Sequence, residues 1–169
     1  MDEIAALIEP HIPALRRYAR ALLRDRDAAD DLVQDCLERA VSRWHLRRRD
    51  GDLKAWLFKI ERNLFLNDLR QRTRRGPHVG PEILESMASL DGANDGALGV
   101  PDVLAGLELL PEEQRSVLFL VGVEDLSYEE TARVLQIPIG TVMSRLSRAR
   151  EKMRQYLETG RGPVLRSVK

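Results

Sequence analysis

The chain has 169 residues, 43% of them hydrophobic and 32% charged, with 27 basic residues balanced by 27 acidic ones. That length suits one medium domain or two small ones, and that mixture excludes a disordered chain. With only three Phe, two Trp and three Tyr, the core must come from Leu, Ile, Val and Ala, a supply that favours helices over sheets. No stretch approaches the ~18 apolar residues of a membrane span. Residues 1–20 carry acids and two prolines, with no apolar run ahead of a cleavage site. The sequence therefore reads as cytoplasmic and without membrane insertion.

Taken in chain order, the first helix is predicted from Asp2 to Leu23, with Ile4, Leu7, Ile8, Leu15, Tyr18 and Leu22 on its apolar face and a kink at Pro10 and Pro13. Asp25 and Asp27 mark a turn and an N-cap. The next helix has a stripe of Leu32, Val33, Cys36, Leu37, Ala40, Val41 and Trp44. The lone cysteine, Cys36, falls on that stripe, which makes it a buried, inert thiol and excludes an internal disulfide. The opposite face carries Asp31, Gln34, Asp35 and Glu38. Residues 45–52 read as a basic loop. A third helix is predicted over 53–74, with Leu57, Ile60 and Leu64 inward. Trp56 fits either that core or a stacking surface.

Residues 76–100 hold five glycines, two prolines, four acids and no Lys or Arg, the composition of a flexible acidic linker. The predicted domains are therefore 1–75 and 101–160. In the second, Val103, Leu104, Leu107 and Leu110 suit a short helix, and Pro111 suits the first helical position of the next. Ser127 and Glu130 make a capping box that opens a third helix. Residues 136–140 form a turn, and a final helix runs to Leu157. The fold class is all-α, two small helical domains joined by a linker.

The last two helices have helix-turn-helix proportions. Wound at about 100° per residue, the final helix places Val142, Leu146, Ala149, Met153 and Tyr156 on one side. Thr141, Ser144, Arg145, Arg148 and Lys152 fall on another, small and polar at its start and basic along its length. Hydroxyls and guanidinium groups so placed can meet base edges and phosphates in a major groove. The zero net charge argues against nucleic acid, but the charge is segregated. Residues 54–75 have a net charge of +5, 141–154 a net of +4 and 101–130 a net of −7, an arrangement that can serve two partners of opposite character.

The run LPEEQRSVLFLVGVEDLSYEETARVLQIPIGTVMSRLSRARE at 110–151, with Gly-Thr-Val-x-Ser-Arg-Leu-x-Arg-Ala-Arg at its heart, resembles region 4 of the extracytoplasmic-function (ECF) group of the sigma-70 family. DAADDLVQDCLERA at 27–40 resembles the polymerase-binding helix of region 2, and LKAWLFKIERNLFLNDLRQRTRR at 53–75 resembles its promoter-melting helix. The resemblance implies a factor that binds core RNA polymerase, directs it to promoter DNA and is held inactive by an anti-sigma factor until a stress signal. It assigns Asp31, Gln34, Asp35 and Glu38 to the polymerase. Lys54, Arg62, Asn63, Asn67 and Arg70 go to the minus-ten element, with the loop at 44–52 as the pocket for a flipped base. The outer face of the final helix, Thr141 to Lys152, goes to the minus-thirty-five element. Met143 departs from the basic residue common there, and Ser147 stands where some members have an aromatic.

His11, His45 and His78 are isolated and form no metal-ligand spacing. There is no phosphate-binding loop, nucleophile elbow or Cys-x-x-Cys pair, so neither a cofactor nor an enzyme is expected, and the free chain is expected to be a monomer. Two other readings fit parts of the sequence. A conventional DNA-binding regulator with a sensing N-terminal domain would bind DNA tightly alone, usually as a dimer. A mimic that titrates an anti-sigma factor would lack the DNA-facing residues, yet Arg145, Arg148 and the basic end of the third helix are present.

Overall fold

The computed structural model describes residues 1–75 and 100–159, so the predicted acidic linker lies outside the described residues. All regular structure among the described residues is helical, with no strand among them. Helix α1 spans Asp2–Ile8 and leads through a 3-10 turn, Glu9–His11, into α2, Ile12–Leu22. Pro10 and Pro13 each sit in the first turn of a segment. There the missing N–H costs nothing, so the prolines divide the predicted helix without breaking the chain's path. Helix α3 covers Arg26–Ser42 and α4 covers Leu53–Arg74. Both start on an aspartate N-cap: Asp25 accepts from the Asp27 N–H at 3.0 Å, and Asp52 from the Lys54 N–H at 3.1 Å.

Helix α5 covers Val100–Glu108, α6 Glu112–Gly122, α7 Tyr128–Leu135 and α8 Ile139–Thr159. Pro111 is the N-cap of α6 rather than its first helical residue, with an extended ψ of 147°. The predicted capping box is present: Ser127 Oγ accepts from the Glu130 N–H at 3.0 Å, and Glu130 accepts from the Ser127 N–H at 3.2 Å. Helix α7 ends on Gln136, whose φ of 55° is left-handed. The Ile137 N–H then reaches back to the Ala132 carbonyl and turns the chain into α8.

Helices α2, α3 and α4 pack around Leu15, Leu22, Val33, Cys36 and Leu57, and α6, α7 and α8 around Val117, Leu120, Val134, Val142 and Leu146. Helix α5 rests on α8 through Leu107, Leu110, Ala149 and Met153. Gly106 lies so close to α8 that a Cβ there would stand 2.8 Å from Tyr156 Cδ1. The two predicted halves share one hydrophobic core, because α2 packs on α6 and α4 on α7. Tyr18 forms the keystone of that seam, meeting Phe58 edge-on at 5.3 Å and stacking on Phe119 at 5.6 Å. Three predicted core residues, Leu7, Val41 and Val103, are exposed; Leu7 and Val41 lie in the last turns of their helices. Trp56 is half-buried and meets Trp44 edge-on at 6.1 Å.

Candidate nucleic-acid interface

The polar side chains predicted on α3 stand in one exposed row, the acids Asp31, Asp35 and Glu38 with Gln34 among them. Within the row Gln34 Nε2 donates to Glu38 Oε1 at 3.3 Å. Asp31 and Asp35 border a groove of about 430 Å³ between α3 and α4, whose other wall carries Asn67, Asp68 and Arg72 over a floor of Leu32, Leu64 and Phe65. The acidic row and the distal half of α4 thus open onto the same surface.

The five polar residues predicted on α4 divide into two groups. Asn63, Asn67 and Arg70 line a second groove of about 260 Å³. Its other side is Arg39 of α3 and Arg43 just past its end, two cations that the sequence reading leaves unassigned, and Gln136 from the α7–α8 turn borders it from the C-terminal half. Three guanidinium groups and three amides over Ile60 and Leu64 suit a single strand's phosphates and unstacked bases.

Lys54 and Arg62 are placed differently from the sequence expectation. Arg62 is buried, with its side chain 7% exposed, and pairs with Glu112 of α6. Its Nη1 also donates to Ser116 Oγ at 2.9 Å and lies 3.4 Å from Tyr18 Oη, while Ser116 Oγ donates to Glu112 Oε1 at 2.7 Å. Burial alone would raise the Glu112 carboxyl, but the guanidinium outweighs it and holds Glu112 below the usual carboxylate range. Burial pushes the Tyr18 phenol up to about 12, so it stays a donor, to Ser116 Oγ at 3.2 Å. Lys54 Nζ lies 3.2 Å from Glu124 Oε2 and donates to the Glu124 carbonyl at 2.7 Å. The other oxygen of Glu124 takes the Arg17 Nε at 2.7 Å. In this arrangement acids from the C-terminal half occupy the positions at Lys54 and Arg62 that a nucleic-acid phosphate would need.

On α8 the predicted face is also divided. Ser144 and Arg148 point outward, whereas Thr141, Arg145 and Lys152 are half-buried. Arg145 leans toward α6, with Nη2 3.7 Å from Glu113 Oε2. The outward surface is continued instead by Met143, 48% exposed, and Ser147. Gly140 at the start of α8 has open space where a Cβ would stand, so the first turn is unobstructed. The helix-turn-helix presents the leading end of α8 to solvent, as insertion into a groove requires.

Among the described residues no group of three His, Cys, Asp or Glu side chains could hold a metal, and no helix is long and apolar enough to cross a membrane. Cys36 is buried, donating to the Leu57 carbonyl at 3.5 Å.

A helical N-terminal unit with an acidic row beside a basic groove, joined to a helix-turn-helix, is the anatomy of a transcription initiation factor. Residues 8–61 match the family described as the Sigma2 domain of PhyR, and residues 102–153 match Sigma-70, region 4. The ECF RNA polymerase sigma factor EcfG of Rhodopseudomonas palustris (strain TIE-1) is 38% identical over 156 residues, which span 92% of this chain and 83% of that protein. The chain belongs to the ECF sigma factors. Among solved structures, the sigma factor RpoE of Bartonella quintana, in complex with the anti-sigma factor NepR, superimposes with a TM-score of 0.77 at 33% identity, covering 95% of this chain and 100% of that one. CnrH, in complex with the cytosolic domain of CnrY, superimposes with a TM-score of 0.64 at 26% identity, covering 92% and 87%.

Proposed function

We propose that this cytoplasmic chain, a monomer when free, binds core RNA polymerase through the acidic row of α3 and directs it to promoters. In this reading α8 anchors upstream DNA through Ser144 and Arg148, with Met143 and Ser147 completing the contact surface. The groove of Asn63, Asn67 and Arg70 captures the opened minus-ten strand, with Arg39 and Arg43 holding its phosphates. Lys54 and Arg62 join that surface only when the seam opens and releases them from Glu124 and Glu112. An anti-sigma factor would hold the chain inactive, as the complexes of its structural relatives suggest.

The observation that carries this reading is the placing of the α3 acids and the α4 amides around one continuous surface. An acidic row beside a DNA groove would repel phosphate, so it serves a different, basic partner. Reconstituted transcription tests it. Core polymerase plus the purified chain should initiate from specific sites in the genomic DNA of its source, and a folded chain that initiates nowhere refutes the proposal. Replacing Asn63 and Asn67 together by Ala should leave core binding intact and abolish open-complex formation. Loss of core binding instead would overturn the division of labour between α3 and α4.

A further inference from the structure

Glu61 stands out among the described residues as a wholly buried acid without a hydrogen-bond partner. It lies on α4, and the lack of a partner extends to both carboxyl oxygens. The charge acting on it from across the seam is another carboxylate, Glu124 of the C-terminal half. Arg17 of α2 and Lys54 of α4 pair with Glu124 itself, and Arg62, next to Glu61 in sequence, pairs with Glu112. From α3 it is Cys36 that feels Glu61, and that thiol is neutral, donating to a backbone carbonyl. On helix α7, which packs on α4, Thr131 Oγ1 is likewise buried without a partner.

An ionised Glu61 would be a buried anion without donors, facing a second anion, which is among the costliest arrangements a protein interior can hold. We propose that the seam is a proton-controlled latch: closing the two halves fixes a proton on Glu61, so the closed chain is favoured in mildly acidic solution and the open chain gains as the pH rises. Opening carries Glu124 away with the C-terminal half and lets water reach α4, and both changes favour the carboxylate. It also lifts Gln136 from the groove of Asn63, Asn67 and Arg70.

The direction follows from linkage. Burial first, and Glu124 second, raise the Glu61 carboxyl well above its ordinary range in the closed chain. The closed state therefore binds one more proton than the open state between the two values. Across that window the closing constant falls by up to about tenfold per pH unit. At the acid end Glu112 acts oppositely. Its depressed value means that its hold on Arg62 is present above the ordinary carboxyl range and lost as the pH falls through the depressed one. Elsewhere on the seam burial opposes ionisation of Asp52, but the backbone N–H bonds it accepts as the N-cap of α4, with the charge of His11, outweigh it and hold Asp52 low, so its titration too belongs to the acid limb. Closure is thus greatest at mildly acidic pH and declines on either side, with Glu61 controlling the alkaline decline.

Single-molecule energy transfer on the full chain tests this, with dyes on Ser42→Cys of α3 and Gln155→Cys of α8, both exposed positions, while Cys36 is buried. The open fraction should rise with pH above the ordinary glutamate range, with a slope approaching one proton per molecule. Glu61→Gln, which imitates the protonated form, should keep the chain closed to the alkaline end. A wild-type open fraction independent of pH, or a Glu61→Gln profile that tracks wild type within about 0.3 pH unit, overturns the proposal. Should Glu61→Gln not fold, the wild-type slope decides alone: near one proton supports the latch and near zero removes it.

Discussion

Replacing Glu112 by Gln probes the seam where its chemistry is most concentrated. The variant keeps the shape of the side chain and an acceptor oxygen for Ser116 and Arg62, but removes the charge that balances a guanidinium only 7% exposed. Deleting one partner of a fully buried pair costs about 3–5 kcal/mol. Two features reduce that here. The Glu112 side chain is 27% exposed, and the amide preserves part of the hydrogen bonding, so a loss of about 2 kcal/mol is expected. Because the halves share one core, the loss should appear as a lower melting temperature, about 4–8 °C at roughly 2–4 °C per kcal/mol for a chain of this size. It should also raise the open fraction about 30-fold. A double-mutant cycle with Arg62→Met separates the pair from other effects of either change, and a coupling energy above about 1 kcal/mol is expected. The pH dependence supplies an internal check: the acid-side loss of closure as Glu112 protonates should be weakened in the variant. A melting temperature within about 1 °C of wild type, with no coupling in the cycle, would show that the Arg62–Glu112 pair does not hold the seam.

Gln136→Gly should raise stability by about 0.5–1 kcal/mol, because the left-handed φ of 55° costs glycine nothing; chemical denaturation measures it, and a destabilised variant refutes the account of that turn. Gly106→Ala should destabilise by about 1–3 kcal/mol, since the new Cβ would force Tyr156 and Met153 off α5, and an unchanged denaturation midpoint would contradict the close α5–α8 contact. Cys36 should be silent toward a thiol reagent at pH 8 until the chain is unfolded, because burial and then Glu61 push its thiol far up; rapid labelling of the native chain would count against the packing of α3 on α4.

The elements were legible where their determinants are local. Asp25 and the Ser127–Glu130 box each act within three residues, and Pro10 and Pro13 act on their own turns, so those helix starts could be read directly. The turn after α7 was located, but its left-handed residue was not, because glutamine carries no signal for that conformation. The seam was illegible for a different reason. Glu61 and Arg62 are charged residues on a strongly basic helix, and by composition their face reads as solvated. What buries them arrives from far along the chain: Glu112 lies 50 residues beyond Arg62, and Glu124 lies 70 beyond Lys54. The one available clue was electrostatic, since the net −7 of residues 101–130 complements the net +5 of residues 54–75. On α8 the packed side, Val142, Leu146, Ala149 and Met153, was readable from its period, whereas the lean of Arg145 toward Glu113 of α6 depends on a residue far back in the chain.

The seating of Tyr18 against Phe58 and Phe119 bears on the chain's lifetime as well as its shape. Separating the halves strips the cover from three aromatic rings and the aliphatic side chains around them, and a contiguous apolar patch of that kind invites self-association and proteolysis. Time spent apart is therefore hazardous unless a partner's surface replaces the lost one. A chain that neither holds itself shut nor engages a partner would be cleared first, which ties the abundance of the factor to its state of assembly.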